Sequence, residues 1–372
     1  MKDVLGVINL SEPEEQIKEL TALRPLAAVP FAGRYRIIDF LMSNLVNSGV
    51  RDVAVFTQGK SRSLMDHFGS GKYWDLDRKR GGLFVLNPMI SMNDVVQRRG
   101  DIENFKNHLD FLYMARAKYA IVSRSYMIYN MDYRPAMKFH KDSGADITIL
   151  YKHMDNSVRR FINCDSLNLD EEGNVLGIGK NLGKKKFYNI STETYIMKKE
   201  LLTDIIEEGV HMGDGDYLKQ VLFNRIQELQ VNAYPVEGYM ACINSIENYY
   251  LANMDLLDIN VSRDLFFGHG LIYTKIKDEP ATRHGDTASV SNALIANGCH
   301  IEGTVENSII GRGVTVRKGA IVRNSILMQN CYIDETASLN YAILDKNVSI
   351  SKKKMLFGHE GHPYVIKKGV TI

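Results

Sequence analysis

Glu306-Asn-Ser-Ile-Ile310 is one of four segments built on a single pattern: Ser291-Asn-Ala-Leu-Ile295 precedes it, and Arg323-Asn-Ser-Ile-Leu327 and Leu339-Asn-Tyr-Ala-Ile-Leu344 follow. They recur every 15 to 17 residues, close to three hexapeptides, and aliphatic residues at Ile301, Val305, Val314, Val316, Ile321, Ile333, Val348 and Ile350 fill the intervals. Self-similarity at a short fixed period is the signature of a stacked architecture. One such coil cannot bury its inner face alone, so coils must stack. Strands of an ordinary sandwich have no reason to recur in register. An acyltransferase built on hexapeptide coils would place a base histidine in them; within these repeats the only histidine is His300, in Cys-His-Ile. The segment 286–372 is therefore expected to form a β-helix, although Lys352 to Ile372 shows no clear repeat.

Upstream of the repeats, short aliphatic runs alternate with segments of helical period. Val4–Ile8, Val53–Thr57, Phe84–Leu86, Tyr119–Val122 and Ile147–Tyr151 read as strands, and 13–23, 40–48, 61–68, 102–117 and 133–141 as helices. This alternation predicts an α/β domain, a mostly parallel sheet with helices on both faces and a ligand site at the carboxyl ends of its strands. From 165 to 260 the pattern loosens, with a hairpin turn at Asp170-Glu-Glu-Gly-Asn174 and helices near 198–208, 214–229 and 246–258. The expected organisation is a domain over 1–260, a linker over 261–285 and the β-helix over 286–372.

Composition narrows the function classes. A chain of 372 residues with 45% hydrophobic content has room for two domains and their cores. With 46 basic against 44 acidic residues, nothing implies a polybasic surface for nucleic acid. Cysteines at 164, 242, 299 and 331 include no Cys-x-x-Cys pair and suit reduced thiols. The apolar start from Val4 to Leu10 runs into Glu12, Glu14 and Glu15, unlike a secretory leader, and no apolar stretch approaches the ~20 residues of a membrane span. A cytoplasmic protein is expected.

Val29-Pro-Phe-Ala-Gly-Arg-Tyr-Arg-Ile-Ile-Asp-Phe40, with Ser43-Asn44, Asn47-Ser48-Gly49 and Thr57-Gln58, closely resembles the glucose-1-phosphate adenylyltransferase (ADP-glucose pyrophosphorylase) family. The likeness continues through Asn130-Met-Asp-Tyr133, Ala252-Asn-Met-Asp-Leu-Leu257 and the repeats. It implies a Rossmann-like nucleotidyltransferase domain followed by a left-handed parallel β-helix, and a chemistry that joins ATP and glucose 1-phosphate into ADP-glucose and pyrophosphate. Adenylyl transfer of that kind rests on positioning and on neutralising a polyphosphate by magnesium, basic side chains and backbone N–H groups. Each of those features departs from the family pattern in this chain.

Where the family carries the phosphate loop Leu-Ala-Gly-Gly-x-Gly-Thr-Arg-Leu, Ser11, Glu12 and Glu14 stand at the glycines and Gln16 at the arginine. A carboxylate held ~4 Å from a phosphate costs about 4 kcal/mol at an effective dielectric near 20. The segment reads instead as a strand-to-helix turn, Ser11 capping and Glu14 at the third position. Leu26 replaces the lysine of the family's Lys-Pro-Ala-Val-Pro-Phe block. The two magnesium aspartates become Tyr126, in Ser125-Tyr-Met-Ile-Tyr129, and Cys242, in Met240-Ala-Cys-Ile-Asn-Ser245. Neither a phenol nor a thiol suits a hard cation that takes oxygen ligands from carboxylates and water. No catalytic residue, no metal site and no cofactor are therefore expected. On the sugar side Glu-Lys-Pro becomes Gly179-Lys180-Asn181, leaving Lys180 as a candidate phosphate contact or an ordinary solvated lysine, and Ser-Met-Gly becomes Ser191-Thr192-Glu193.

The resemblance is nearest to the family's non-catalytic, GlgD-type subunit, which implies a regulatory partner of a catalytic homologue in a hetero-oligomer, a tetramer in this family, responsive to phosphorylated metabolites. Arg24, Arg34 and Arg36, with Arg312 and Arg317 from the coils, match the effector region, and arginine suits a phosphate because its planar fork binds it bidentately. A surface or structural ion pair, such as Arg36 with Asp39, is the alternative for each. Two other readings stay open: a weakly active adenylyltransferase or related sugar-phosphate nucleotidyltransferase, and a stand-alone sugar-phosphate-binding or scaffold protein. The exposed edges of the β-helix and the Phe105, Leu109, Leu112 and Tyr113 stripe are candidate interfaces.

Overall fold

The computed structural model describes residues 1–88, 100–155, 160–212 and 218–372, without the side chains of 211 and 212. At its centre strand Val4–Asn9, buried throughout, pairs in parallel with Asp52–Phe56 on one side and Tyr119–Ser123 on the other. Gly82–Leu86 extends the parallel part beyond Asp52–Phe56. Past Tyr119–Ser123 the sheet turns antiparallel through Phe187–Lys198, a strand that also pairs with Ile147–Asp155 and with the hairpin Asp165–Leu169 and Val175–Lys180. Buried side chains on its two faces form separate cores under two layers of helices.

Strand Phe187–Lys198 escapes the sequence reading because polar Ser191, Thr192, Glu193 and Thr194 interrupt its apolar alternation. All four are buried. The register shifts between Ser191 and Tyr195, so the strand bulges where those residues point inward. The expected helix 102–117 is two, Ile102–Lys106 and Leu109–Met114. Phe105 and Leu112 are wholly buried and Leu109 is half-buried, which removes the Phe105 to Tyr113 stripe as a continuous interface; Tyr113 and Met114 are the large apolar residues of these two helices that are exposed. Helices occupy Lys199–Met212 and Leu218–Asn224, and the expected helix 214–229 begins outside the described residues.

From Arg283 onward the chain winds as a parallel β-helix, the stacked architecture that its repeats announce. Every strand pairing in it is parallel, for example Thr304–Ile310 with Ser289–Ile295 before it and with Ile321–Arg323 and Ile326–Leu327 after it. The repeated asparagines make the corners: Asn292, Asn307 and Asn324 adopt left-handed backbones, with φ of 45°, 46° and 44°, a conformation that asparagine tolerates. Tyr341, rather than Asn340, holds the next corner at φ 53°. Met355–Phe357 and Tyr364–Ile366 complete a last coil despite the absence of a repeat there.

The two parts share one core. Ile309, Ile326, Met328 and Ile343 on the outside of the coils belong to the same buried cluster as Leu20, Leu26, Tyr249 and Tyr250. Helix Ile259–Phe267 runs across the boundary placed at 260, and the segment after it is strapped to helix Ile37–Asn47: Ser43 Oγ accepts from the Tyr273 N–H at 2.8 Å and Asn47 Nδ2 donates to the Leu271 carbonyl at 2.9 Å. Asn44 ties the same helix to the Tyr129 carbonyl and the Met131 N–H. The motif that carries the family resemblance is thus an architectural hub as well as a site wall.

Candidate functional site: a self-bonded pocket and a basic cavity

At the carboxyl ends of the parallel strands, where a nucleotide would be expected, lies a cavity of about 300 Å³ walled by Ser11, Glu12, Glu14, Glu15 and Lys60. Two of its carboxylates, those of Glu12 and Glu14, are turned onto the protein. Glu12 accepts from the Ser125 N–H at 2.6 Å and from its hydroxyl at 2.7 Å, and burial, only partly opposed by those bonds and by Arg124, raises its pKa. Glu14 accepts from the Leu26 N–H at 2.9 Å. The substitutions at the family's loop and lysine positions are therefore bonded to each other across the chain. Ser11 does not cap: its hydroxyl donates to Asp101 at 2.7 Å, and a 3-10 turn at Glu15–Ile17 leads into a helix of only Lys18–Thr21. The capping box fails because both of its side chains have stronger partners elsewhere. Gln16 is exposed and Leu26 fully buried.

Behind this cavity is a network that sequence reasoning missed. Glu193, in the bulge of Phe187–Lys198, is 2% exposed and has φ 53°. Its carboxylate meets Lys219 Nζ at 2.8 Å, Arg124 at 3.2 Å and the Tyr126 hydroxyl at 2.5 Å. Lys219 also pairs with buried Asp165, whose other oxygen lies 2.6 Å from Lys180 Nζ. Lys180 is thus held by a carboxylate, while exposed Gly179 beside it offers only backbone. Burial alone would raise the Glu193 pKa, but Arg124 and Lys219 outweigh it and hold the carboxylate well below its ordinary range. The Tyr126 phenol is pushed far up by burial and by the Glu193 charge.

The residues at the two metal positions do not fit magnesium. Tyr126 donates to Glu193 instead of presenting a carboxylate, and the carboxylate it meets is already paired with two cations. Cys242, on a short strand antiparallel to Met127–Tyr129, is buried with its Sγ 3.3 Å from that of Cys164. Burial first, then Cys164, raises its thiol pKa well above the usual value, so a thiolate ligand is disfavoured too.

A second cavity, of about 220 Å³, opens where the Pro30–Arg36 turn meets the coils. Arg34, Arg36, Lys275, Lys277, Arg312 and Lys346 line it, with Asp66 as its one carboxylate. Gly33, at φ 72°, lets the turn approach: a Cβ there would stand 3.0 Å from the Ile310 carbonyl oxygen. Arg312 is 7% exposed, and its Nε has no hydrogen-bond partner. Burial lowers the Arg36 pKa to about 10 and, reinforced by Arg36, Arg24 and Lys277, lowers that of Lys346 to about 7. Among the described residues Arg34, Arg312 and Lys346 form no ion pair.

Of the five sequence-derived arginines, the structure brings Arg34, Arg36 and Arg312 together in this cavity. Arg24 lies outside its lining, buried in an ion pair with Asp345 at 2.7 Å, and Arg317 pairs with Glu302 at 3.0 Å on the coils. The expected Arg36–Asp39 contact is not between side chains: the Arg36 backbone N–H donates to Asp39 at 2.9 Å, and the guanidinium donates to the Ser63 carbonyl. Asp39 in turn holds His67 Nε2 at 2.6 Å. Lysines 275, 277 and 346 carry no motif and become visible only once the chain is folded.

Residues 15–161 match the model of the nucleotidyl transferase family and residues 278–361 that of the GlmU-like, C-terminal hexapeptide family. The glycogen biosynthesis protein GlgD of Bacillus subtilis is 36% identical over 368 residues, 99% of this chain and 96% of that protein. GlgD of Geobacillus stearothermophilus is 37% identical, covering 99% and 97%. The glucose-1-phosphate adenylyltransferase of Fervidobacterium nodosum is 30% identical, covering 94% and 84%. The chain belongs to the family that comprises the GlgD glycogen biosynthesis proteins and the glucose-1-phosphate adenylyltransferases.

Proposed function

We propose that this chain is a regulatory, catalytically silent subunit of a glucose-1-phosphate adenylyltransferase, acting in bacterial glycogen biosynthesis in the cytoplasm. The contrast between its two cavities carries the reading. In the first, Glu12 and Glu14, and behind it Tyr126, Cys242 and Glu193, take the places of phosphate, metal and sugar contacts and are bonded to the protein itself. In the second, six cations outnumber the single carboxylate, and none of the six forms an ion pair among the described residues. Like charges are gathered in this way where an anion is to be received. The expected ligand is a phosphorylated metabolite, and the expected partner a catalytic homologue in a hetero-oligomer, whose response to the ligand this cavity sets.

The test is the effector curve of a catalytic homologue mixed with the native chain or with its Arg34→Ala/Arg36→Ala variant. Loss of the effector response in the variant mixture supports the reading. An unchanged curve overturns the role of the cavity. ADP-glucose formation by the chain alone would favour a weakly active enzyme, and no effect on the homologue a stand-alone binding protein.

A further inference from the structure

We propose that Glu193 is a built-in stand-in for a ligand: its carboxylate occupies the seat of a phosphate monoester, and removing it opens a binding site that the native chain keeps closed. This rests on the pocket being degenerate, but not on any regulatory role. Three observations converge. Glu193 has a backbone conformation, φ 53°, natural to glycine and uncommon for a side chain of its size, in the bulge that aims it inward. Arg124, Lys219 and the Tyr126 hydroxyl all converge on its carboxylate, a donor set that suits any compact oxyanion. The fit is incomplete: Glu193 Oε2 is buried without a hydrogen bond despite its ion pair with Arg124. Lys180, about half exposed on its tie to Asp165, marks the side from which a ligand would enter.

A phosphate monoester, with more oxygens than a carboxylate, would answer Arg124 and Lys219 together and reach Lys180. The experiment uses the full chain carrying Arg34→Ala/Arg36→Ala, so that the basic cavity does not report, with and without Glu193→Gly. Inorganic phosphate and glucose 1-phosphate are titrated by calorimetry. The Glu193→Gly chain is expected to bind at least tenfold more tightly than its parent, and Lys219→Met on top of it to remove the gain. Tighter binding of glucose 1-phosphate than of phosphate identifies a sugar phosphate; equal binding identifies the bare anion. Glu193→Asn, which accepts the same backbone conformation, serves as the second variant. If either variant folds with a native circular dichroism spectrum and shows no gain, the inference is overturned. If neither folds, Glu193 is a structural keystone and not a replaceable stand-in, which overturns it equally.

Discussion

At the level of single residues, charge placement separates structure from function. Arg24 and Asp345 are both nearly inaccessible and lie 2.7 Å apart, joining the first domain to the coils. Removing one partner leaves the other charged in the interior, so Arg24→Ala is expected to cost about 3–5 kcal/mol, read as a lowered urea midpoint. Lys346 offers a test of the basic cavity. Its folded pKa, about 7, lies below the ordinary 10.5. The unfolded chain therefore binds the extra proton between those values, and this residue's contribution to stability rises with pH across that window. An anion in the cavity reverses the preference by favouring the charged amine. Anion affinity is thus expected to fall as pH rises from about 7 toward 9, with proton uptake on binding, and Lys346→Gln to flatten that dependence, measured by calorimetry in two buffers.

Among the elements, the corners of the β-helix and the Pro30–Arg36 turn depend on left-handed residues. Asn324, at φ 44°, also donates to Asn340 in the next coil at 2.9 Å. Asn324→Ala is expected to destabilise by about 1–2 kcal/mol from the backbone, with a further contribution from the lost hydrogen bond, read as a shift in thermal midpoint. The stacked coils were legible in the sequence because the four segments recur at a fixed spacing with their aliphatic residues; that the asparagines make the corners was not read there and comes from the backbone. The parallel strands were legible as short apolar runs. Strand Phe187–Lys198 was not, because its polar centre is buried against Arg124, Lys219 and Tyr126, contacts from distant parts of the chain. The expectation that Tyr126 and Cys242 stand at the metal positions came from the motif; the network beside Tyr126, with Glu193 and Asp165 against Lys219, could not be read there. The capping reading of Ser11 failed for the same reason: Asp101, ninety positions away, offers its hydroxyl a better partner.

For the whole molecule, the shared core makes the two parts one mechanical unit. Ile343 is fully buried at their junction, and Ile343→Ala is expected to cost about 2–5 kcal/mol. The loss should lower a single cooperative unfolding transition, recorded by calorimetry, rather than release one part before the other. The basic cavity is walled by the Pro30–Arg36 turn and the coils at once. In the proposed reading, a ligand there would bias how the parts meet a neighbouring subunit, while Glu12 and Glu14 at the strand ends stay bonded to the protein's own groups. The most direct test of this division of labour is the rate of ADP-glucose formation from ATP, glucose 1-phosphate and magnesium, for the chain alone, for a catalytic homologue from the same cell and for the two mixed. The account predicts no product from the chain alone and an altered rate or effector response in the mixture. Product from the chain alone would contradict it, and so would a mixture that behaves as the homologue does by itself.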